Sequence, residues 1–125
     1  ELLNHDLFDL AGVNKDFSAY QLVTAIDLFH SYYFEGRERL LSLFRVLRSV
    51  FPDQQFLVSE MCLADEKSMP RIAYPMIEHE FFHGLTGQRT FREGELEALL
   101  TEAGFTVREC WSMRNLGARI FLHFD

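Results

Sequence analysis

Two carboxyl groups and one imidazole, all able to transfer protons, lie at or just beyond the ends of two mostly apolar runs. Asp27 ends the run at residues 20–27 and His30 follows three residues later, while Glu60 lies at the end of the run that begins at residue 56. A free imidazole has a pKa of about 6.5, so it accepts and returns protons near neutral pH. A neighbouring carboxylate orients such a ring or accepts a substrate proton itself. The alternatives are a surface or capping histidine and a solvated carboxylate.

A second pair of imidazoles lies in the sequence HEFFH, which matches the HExxH pattern. His79 and His83 are four residues apart, so on a helix they share one face and can bind one divalent metal such as Zn, Fe(II), Ni or Co. A zinc peptidase also needs a third ligand, and the apolar stripe around Glu102 turns that carboxylate towards solvent. A peptidase is therefore disfavoured, and two packing histidines without a metal remain the alternative.

The elements that position these residues alternate between strands and helices. Apolar runs predict strands at residues 20–27, 56–61, 107–111 and 119–124. Helices are predicted between Gly36 and Pro52, at residues 75–83 with a stop at Gly84, and from a capping box at residues 90–93 to Gly104. The first two strands are then parallel and the last two antiparallel. Ligands gather at the carboxyl ends of parallel strands, so Asp27, His30 and Glu60 are expected on one rim of an α/β sheet.

Composition excludes several classes of protein. The chain has 125 residues, 48% of them hydrophobic and 25% charged, which is typical of one folded domain. Its formal net charge of −7 argues against nonspecific binding to nucleic acid or to anionic membranes. No apolar run approaches the roughly 18 residues of a membrane span. Cys62 and Cys110 are far apart and form no CxxC motif, so we expect a reducing, cytoplasmic setting.

The ordered motifs resemble those of a known family. Asp6-Leu7-Phe8, the run into Asp27-Leu28-Phe29-His30, the stretch from Pro52 to Glu60, and residues 87–105 together resemble the second half of class I SAM-dependent methyltransferases. Within that group they are most similar to the small-molecule O-methyltransferases of the plant caffeate and flavonoid type and their bacterial relatives. The resemblance covers nearly the whole chain. It implies a partial Rossmann-like sheet, two parallel strands plus a C-terminal antiparallel pair, with helices packed on it.

The resemblance also implies roles for particular residues. Asp6 falls where the family meets the adenine end of SAM, and Leu7 and Asp27 are assigned with it to cofactor binding. His30 takes the position of the catalytic base, and Glu60 that of the carboxylate that braces the base. The family often has Glu where this chain has Gln88, and it has no need of His79 or His83.

A narrower likeness is to the α-keto acid C-methyltransferases, such as 2-ketoarginine methyltransferase. There a metal held by His79 and His83 would chelate the keto acid and stabilise an enolate. Two further alternatives remain: O-methylation of a small hydroxylated metabolite with His30 as base, and a non-catalytic structural or dimerisation fragment.

The family's glycine-rich turn for the SAM carboxylate end and its ribose-binding acid have no counterpart in residues 1–125. We therefore expect residues 1–125 to be the C-terminal part of a catalytic domain whose N-terminal SAM-binding half is absent from this sequence. An unpaired strand at residues 22–27 would then favour a homodimer or contact with that half.

Overall fold

Strands and helices alternate along the residues that the computed structural model describes, which are 4–63, 77–78, 81–113 and 119–125. A 3-10 helix (Leu7–Gly12) comes first. Among the described residues the helices are α1 (Phe29–Tyr33), α2 (Arg37–Val50), α3 (residues 81–86) and α4 (Glu95–Glu102), and residues 77–78 are also helical. The strands are β1 (Leu22–Ile26), β2 (Gln55–Leu63), β3 (Phe91–Arg92), β4 (Val107–Met113) and β5 (Arg119–Phe124).

The described strands form one mixed sheet in which β2 is the centre. The order is β1-β2-β5-β4, with β1 parallel to β2 and with β5 antiparallel to both β2 and β4. The predicted parallel pair and the predicted closing antiparallel pair are both confirmed. The short strand β3 adds a parallel pairing at the far end of β2, where Cys62 is opposite Phe91.

Helices α2 and α4 provide the apolar cover of one sheet face. Apolar residues recur at i, i+3/i+4 spacing along α2, and the leucines and Phe44 of this apolar face are buried. The leucines of α4 are buried in the same way. Beneath them Phe56 and Phe124 stack with ring centroids 5.0 Å apart, and Phe105 packs edge-on against both. This layer holds β2 rigidly, which matters because β2 carries Glu60.

The other sheet face has exposed apolar side chains on its outer strands, and β1 is an edge strand among the described residues. Strand register places Ile26 and Trp111 in one row, with the buried Ser59 and the half-buried Phe121 between them, and Leu57 lies on the same face two residues before Ser59. Ile26 is 70% exposed, Leu22 50% and Trp111 46%. Several large apolar side chains exposed on one face suit that face to contact with further protein.

Three of the predicted strands have other boundaries in the structure. We expected Glu60 at the carboxyl end of its strand, but β2 extends to Leu63 and Glu60 is an interior residue of it. Strand β1 is shorter than predicted, beginning at Leu22 rather than residue 20. Strand β5 has the predicted bounds, and β4 runs two residues further than predicted, to Met113. The turn predicted around residues 115–117 lies outside the described residues.

The predicted capping box at residues 90–93 is wrong. Phe91 and Arg92 are extended and pair with β2, and α4 begins later, at Glu95, after Gly94 with φ of 78°. Phe91 is fully buried and stacks on Tyr33, so tertiary packing overrides the local capping pattern. Glu95, the first residue of α4, accepts a hydrogen bond from the Arg92 backbone N–H through its Oε2 atom, at 2.9 Å.

Gly84 does not end α3, as we had predicted, because the helix continues to residue 86. The end comes at Gly87, which has φ of +75° and lies against the Phe34 ring. The predicted left-handed cap at Gly104 is confirmed, with φ of +93° and the Phe105 N–H bonded to the Leu100 carbonyl at 3.0 Å. Within the described residues, none of the helices has the length and apolarity that crossing a bilayer requires.

The two glycines at the end of α3 should respond oppositely to alanine. Gly87→Ala should lower the free energy of unfolding by about 1–2 kcal/mol, because an L-residue is strained at positive φ. Gly84→Ala is the matched control: a Cβ there meets nothing within 4 Å, and alanine at a helical position should raise stability by about 0.5–1 kcal/mol. Urea denaturation measures both, and equal changes would contradict the assigned constraint.

Candidate active site

The site is built around the carboxylate of Glu60, which is fully buried on β2. Its Oε1 accepts hydrogen bonds from the backbone N–H groups of Leu28, at 2.8 Å, and Phe29, at 2.5 Å. Its Oε2 lies 2.9 Å from His30 Nδ1. One side chain from the middle of the sheet therefore contacts three consecutive residues at the start of α1.

Helix α1 needs this contact because it has no cap of its own. The first N–H groups of a helix lack partners within it, and a Ser, Thr, Asp or Asn usually supplies one. Here the N-cap residue is Leu28, whose side chain has no acceptor, and no side-chain cap bond is made. Glu60 replaces the missing cap from another element, and the two amide donors stabilise a carboxylate that burial would otherwise penalise.

The same contact determines the tautomer of His30. An ionised carboxylate only accepts hydrogen bonds, so Nδ1 of the neutral ring carries the hydrogen and Nε2 carries the lone pair. The residue is 6% exposed, which keeps the ring largely away from bulk water. A histidine held in this way by a carboxylate is suited to act as a general base through Nε2.

Helix α3 and the residues after it lie against α1. The rings of His83 and His30 pack edge-on, with centroids 4.8 Å apart and planes at 69°. Gln88 Nε2 donates to Ser31 Oγ at 3.3 Å. Thus the amide of Gln88 ties the segment after α3 to the residue next to His30.

A second polar contact ties the end of α1 to α4, and sequence reasoning missed it. The Tyr33 hydroxyl donates to Glu95 Oε1, which also accepts from Arg89 at 3.0 Å, while the Arg89 guanidinium lies 4.6 Å from the centre of the Tyr33 ring. Burial first and the Glu95 carboxylate second raise the pKa of Tyr33. The tyrosine therefore stays a neutral donor at neutral pH. No sequence pattern joins residues so far apart along the chain.

The three residues assigned to the cofactor lie on both sides of α1. Asp6 caps the 3-10 helix by accepting from the Phe8 N–H at 2.9 Å, and Leu7 is half-buried. The Phe8 ring packs edge-on against Tyr32 of α1, with centroids 5.8 Å apart. Burial first and the Asp6 charge second raise the pKa of Tyr32, which shows that this carboxylate acts on α1 from nearby.

Asp27 lies directly between β1 and α1. Its backbone has φ of +49°, and its N–H donates to the Ser59 carbonyl of β2 at 2.9 Å. This bond continues the β1–β2 pairing one residue beyond β1, while the side chain of Asp27 is exposed. The predicted convergence of His30 and Glu60 is thus seen as a direct contact, with Asp27 beside it at the exposed rim.

Of the predicted metal pair, His79 lies outside the described residues, whereas His83 lies against His30. The described part of the chain contains no group of three or more His, Cys, Asp or Glu side chains placed to hold a metal ion.

The aromatic side chains near the site differ in burial. Phe29 and Tyr33 belong to the buried core, Tyr32 is half-buried, and Phe81 and Phe82 are more than half exposed. The two exposed phenylalanines contact each other edge-on, with centroids 5.8 Å apart.

Neither cysteine has the character of a nucleophile. Burial chiefly raises the pKa of Cys62 to about 12 and that of Cys110 to about 11, and the Glu97 carboxylate adds to both effects. The Cys110 thiol donates to Glu97 Oε1 at 3.3 Å. Both thiols are therefore neutral near pH 7, and a thiol needs its anion to attack.

Several solved structures share this fold. An O-methyltransferase family protein from Burkholderia thailandensis matches with a TM-score of 0.71 and 14% identity, over 100% of this chain and 35% of that chain. An O-methyltransferase family 2 protein from Planctomyces limnophilus, in complex with apigenin, matches with a TM-score of 0.65 and 15% identity, over 97% and 34%. PigF with SAH matches with a TM-score of 0.66 and 20% identity, over 97% and 37%.

These likenesses confirm the expected fold, a partial methyltransferase sheet with helices packed on it. The chain spans about a third of the length of the solved structures it matches. Neither the protein-family models nor the curated proteins include a match to the sequence.

Substitutions of Glu60 should separate its two contacts. Glu60→Ala leaves the Leu28 and Phe29 amides and His30 Nδ1 without their acceptor, and we expect a loss of about 3 kcal/mol in the free energy of unfolding. Glu60→Gln keeps an oxygen for the two amides, so its loss should be about 1 kcal/mol or less. Its NH₂ group must then face Nδ1, which moves the ring hydrogen to Nε2.

Urea denaturation gives the stabilities, and the ¹⁵N chemical shifts of the His30 ring give the tautomer. An unchanged tautomer in Glu60→Gln, or equal stabilities of the two variants, would contradict the assigned contacts.

Proposed function

We propose that this chain supplies the acceptor-side catalytic part of a SAM-dependent methyltransferase that acts on a small hydroxylated molecule, with His30 as general base. The observation that carries the proposal is the 2.9 Å contact between the buried Glu60 carboxylate and His30 Nδ1. It supports a base whose reactive nitrogen is Nε2, within a fold similar to that of O-methyltransferase family proteins.

In this mechanism His30 takes the proton from the acceptor hydroxyl as the oxygen becomes a nucleophile. General bases of this kind contribute roughly 10²–10⁴-fold to the rate. The positive charge that develops on the imidazole is then neutralised by Glu60, which needs no movement because its carboxylate is already fixed by the Leu28 and Phe29 amides. The low exposure of His30 excludes competing water.

The residues beside α1 fit the cofactor that this fold family uses. SAM supplies a methyl group on a sulfonium, which is itself a good leaving group. The Asp6 carboxylate and the half-buried Leu7 would hold its adenine end, and the exposed carboxylate of Asp27 offers acceptors to hydroxyl or amino donors. Acidic groups on this rim also favour a cationic ligand.

C-methylation of an α-keto acid requires one more functional group in the site than O-methylation does. Besides a base it needs a group that stabilises an enolate, and that role was assigned to a metal on His79 and His83. His83 packs on His30, and His79 lies outside the described residues. We favour O-methylation as the reaction because the fold is similar to that of O-methyltransferase family proteins.

We further propose that residues 1–125 act together with a SAM-binding part of the protein that precedes them. The open edge of β1 and the exposed Leu22, Ile26 and Trp111 are the surface available for that contact or for a second copy of the chain. The partial coverage of the similar structures supports this proposal.

The test of the base is His30→Ala in the complete protein. We expect kcat for methylation to fall by about 10²–10⁴-fold with little change in SAM affinity, because the proton acceptor is lost while the cofactor residues remain. His123→Ala, a half-buried histidine on β5, is the matched control and should retain activity. Turnover that survives in His30→Ala would favour the alternative of a structural, non-catalytic part.

The isolated 125-residue chain should neither bind SAM with micromolar affinity nor remain monomeric. Calorimetric titration tests the first expectation, because residues 1–125 lack the glycine-rich turn that holds the SAM carboxylate end. Light scattering tests the second, because the open sheet edge favours self-association. Micromolar SAM binding by a monodisperse monomer would refute the proposed division of the protein.

A further inference from the structure

Asp27 turns the chain from β1 into α1 with a backbone conformation that is unusual for its residue type. Its φ is +49°, whereas the other positive φ values among the described residues belong to glycines. An L-residue is strained there because its Cβ approaches the following carbonyl oxygen, and Gly, Asn and Asp adopt this conformation most readily. A strained residue persists where the surrounding structure requires it, and such residues are frequent at functional sites.

The hydrogen bonds around Asp27 show what the turn achieves. The Asp27 N–H still belongs to the sheet, since it donates to the Ser59 carbonyl at 2.9 Å. The next two N–H groups, those of Leu28 and Phe29, leave the sheet and donate to one atom, Glu60 Oε1. Glu60 directly follows Ser59 on β2, so the chain redirects its N–H groups within a single residue.

A left-handed residue followed by a right-handed one produces this redirection. Leu28 has φ of −109° and ψ of −48°, in the right-handed helical region, directly after the left-handed φ of Asp27. Two successive residues of opposite hand direct consecutive N–H groups into one concave nest that binds anions. The Glu60 carboxylate is the anion in this nest, and its other oxygen contacts His30 Nδ1 at 2.9 Å. The backbone of Asp27 therefore acts on His30 through Glu60.

We propose that Asp27 is a positioning residue whose left-handed backbone holds the Leu28 and Phe29 amides on Glu60 and so keeps Glu60 in place against His30. This role belongs to the backbone, and it is additional to the cofactor contact proposed for the Asp27 carboxylate. The inference rests on the proposed role of His30 as base. It requires a residue that adopts positive φ at position 27, whether or not that residue carries a charge.

The experiment compares Asp27→Gly with Asp27→Ala in the complete protein. Both variants lack the carboxylate, so any loss of SAM affinity should be the same in both, and they differ only in a methyl group that disfavours positive φ. Because the Asp27 side chain is exposed, neither variant leaves a cavity. We expect the Leu28 and Phe29 amides to exchange hydrogen at least about 5-fold faster in Asp27→Ala than in Asp27→Gly, which corresponds to about 1 kcal/mol.

Enzyme kinetics give the readout that a purely structural turn would not change. We expect kcat to be several-fold lower in Asp27→Ala than in Asp27→Gly, with equal KM values for SAM and for the acceptor. The reason is that relief of the strain turns the two amides away from Glu60, and misplacing a reacting group by about 1 Å costs up to roughly 100-fold. Asp27→Asn, which tolerates positive φ without a charge, should show the amide exchange of the wild type.

Each outcome decides for or against the proposal. Equal amide exchange in Asp27→Gly and Asp27→Ala would overturn it, and so would equal kcat values. If Asp27→Ala does not fold, Asp27→Asn decides, because amide exchange faster than in the wild type would show that the charge is needed rather than the backbone. Failure of the proposed function shows separately, as activity in His30→Ala, because amide exchange reports on the turn without any turnover.

Discussion

One buried carboxylate holds the candidate active site of this molecule together. Burying a charge is unfavourable unless donors surround it, and Glu60 obtains three: two amides at the start of α1 and the imidazole of His30. Helix α1, in turn, has no acceptor of its own for those amides. Strand, helix and imidazole therefore form a single unit, because moving any of them leaves a charge or a donor without its partner.

The unit formed by β2, α1 and His30 is packed against apolar side chains on one side and has exposed apolar side chains around it. Beneath it, a layer of phenylalanine and leucine from α2 and α4 fixes β2. Around it, the outer face of α3 and the far side of the sheet expose apolar side chains, among them Phe81, Leu85 and Ile26. Such surfaces suit contact with further protein or with an apolar acceptor. A buried His–Glu pair beside exposed apolar surface is the arrangement that the proposed function requires.

Local sequence patterns failed where distant residues compete for the same segment. The capping box at residues 90–93 is chemically sound, but burial of Phe91 against Tyr33 draws that segment into a strand beside β2. Gly84 is compatible with a helix end, yet the helix continues to residue 86 and ends at Gly87, whose φ of +75° is a conformation that glycine adopts without strain. The HExxH spacing correctly placed His83 on a helix, but spacing alone does not tell which neighbour the helix will meet.

The sequence by itself determined the α/β class, the parallel and antiparallel pairs, the stripes of α2 and α4, and the meeting of His30 with Glu60 at one part of the sheet. These follow from periodicity and chain connectivity, which are local properties. Only the tertiary structure decided that Glu60 caps α1, that His83 packs edge-on against His30, and that Glu95 joins Tyr33 to Arg89. Those contacts join residues about 30 to 60 positions apart, and the choice among many possible partners is made by packing and by the need to satisfy every buried polar group.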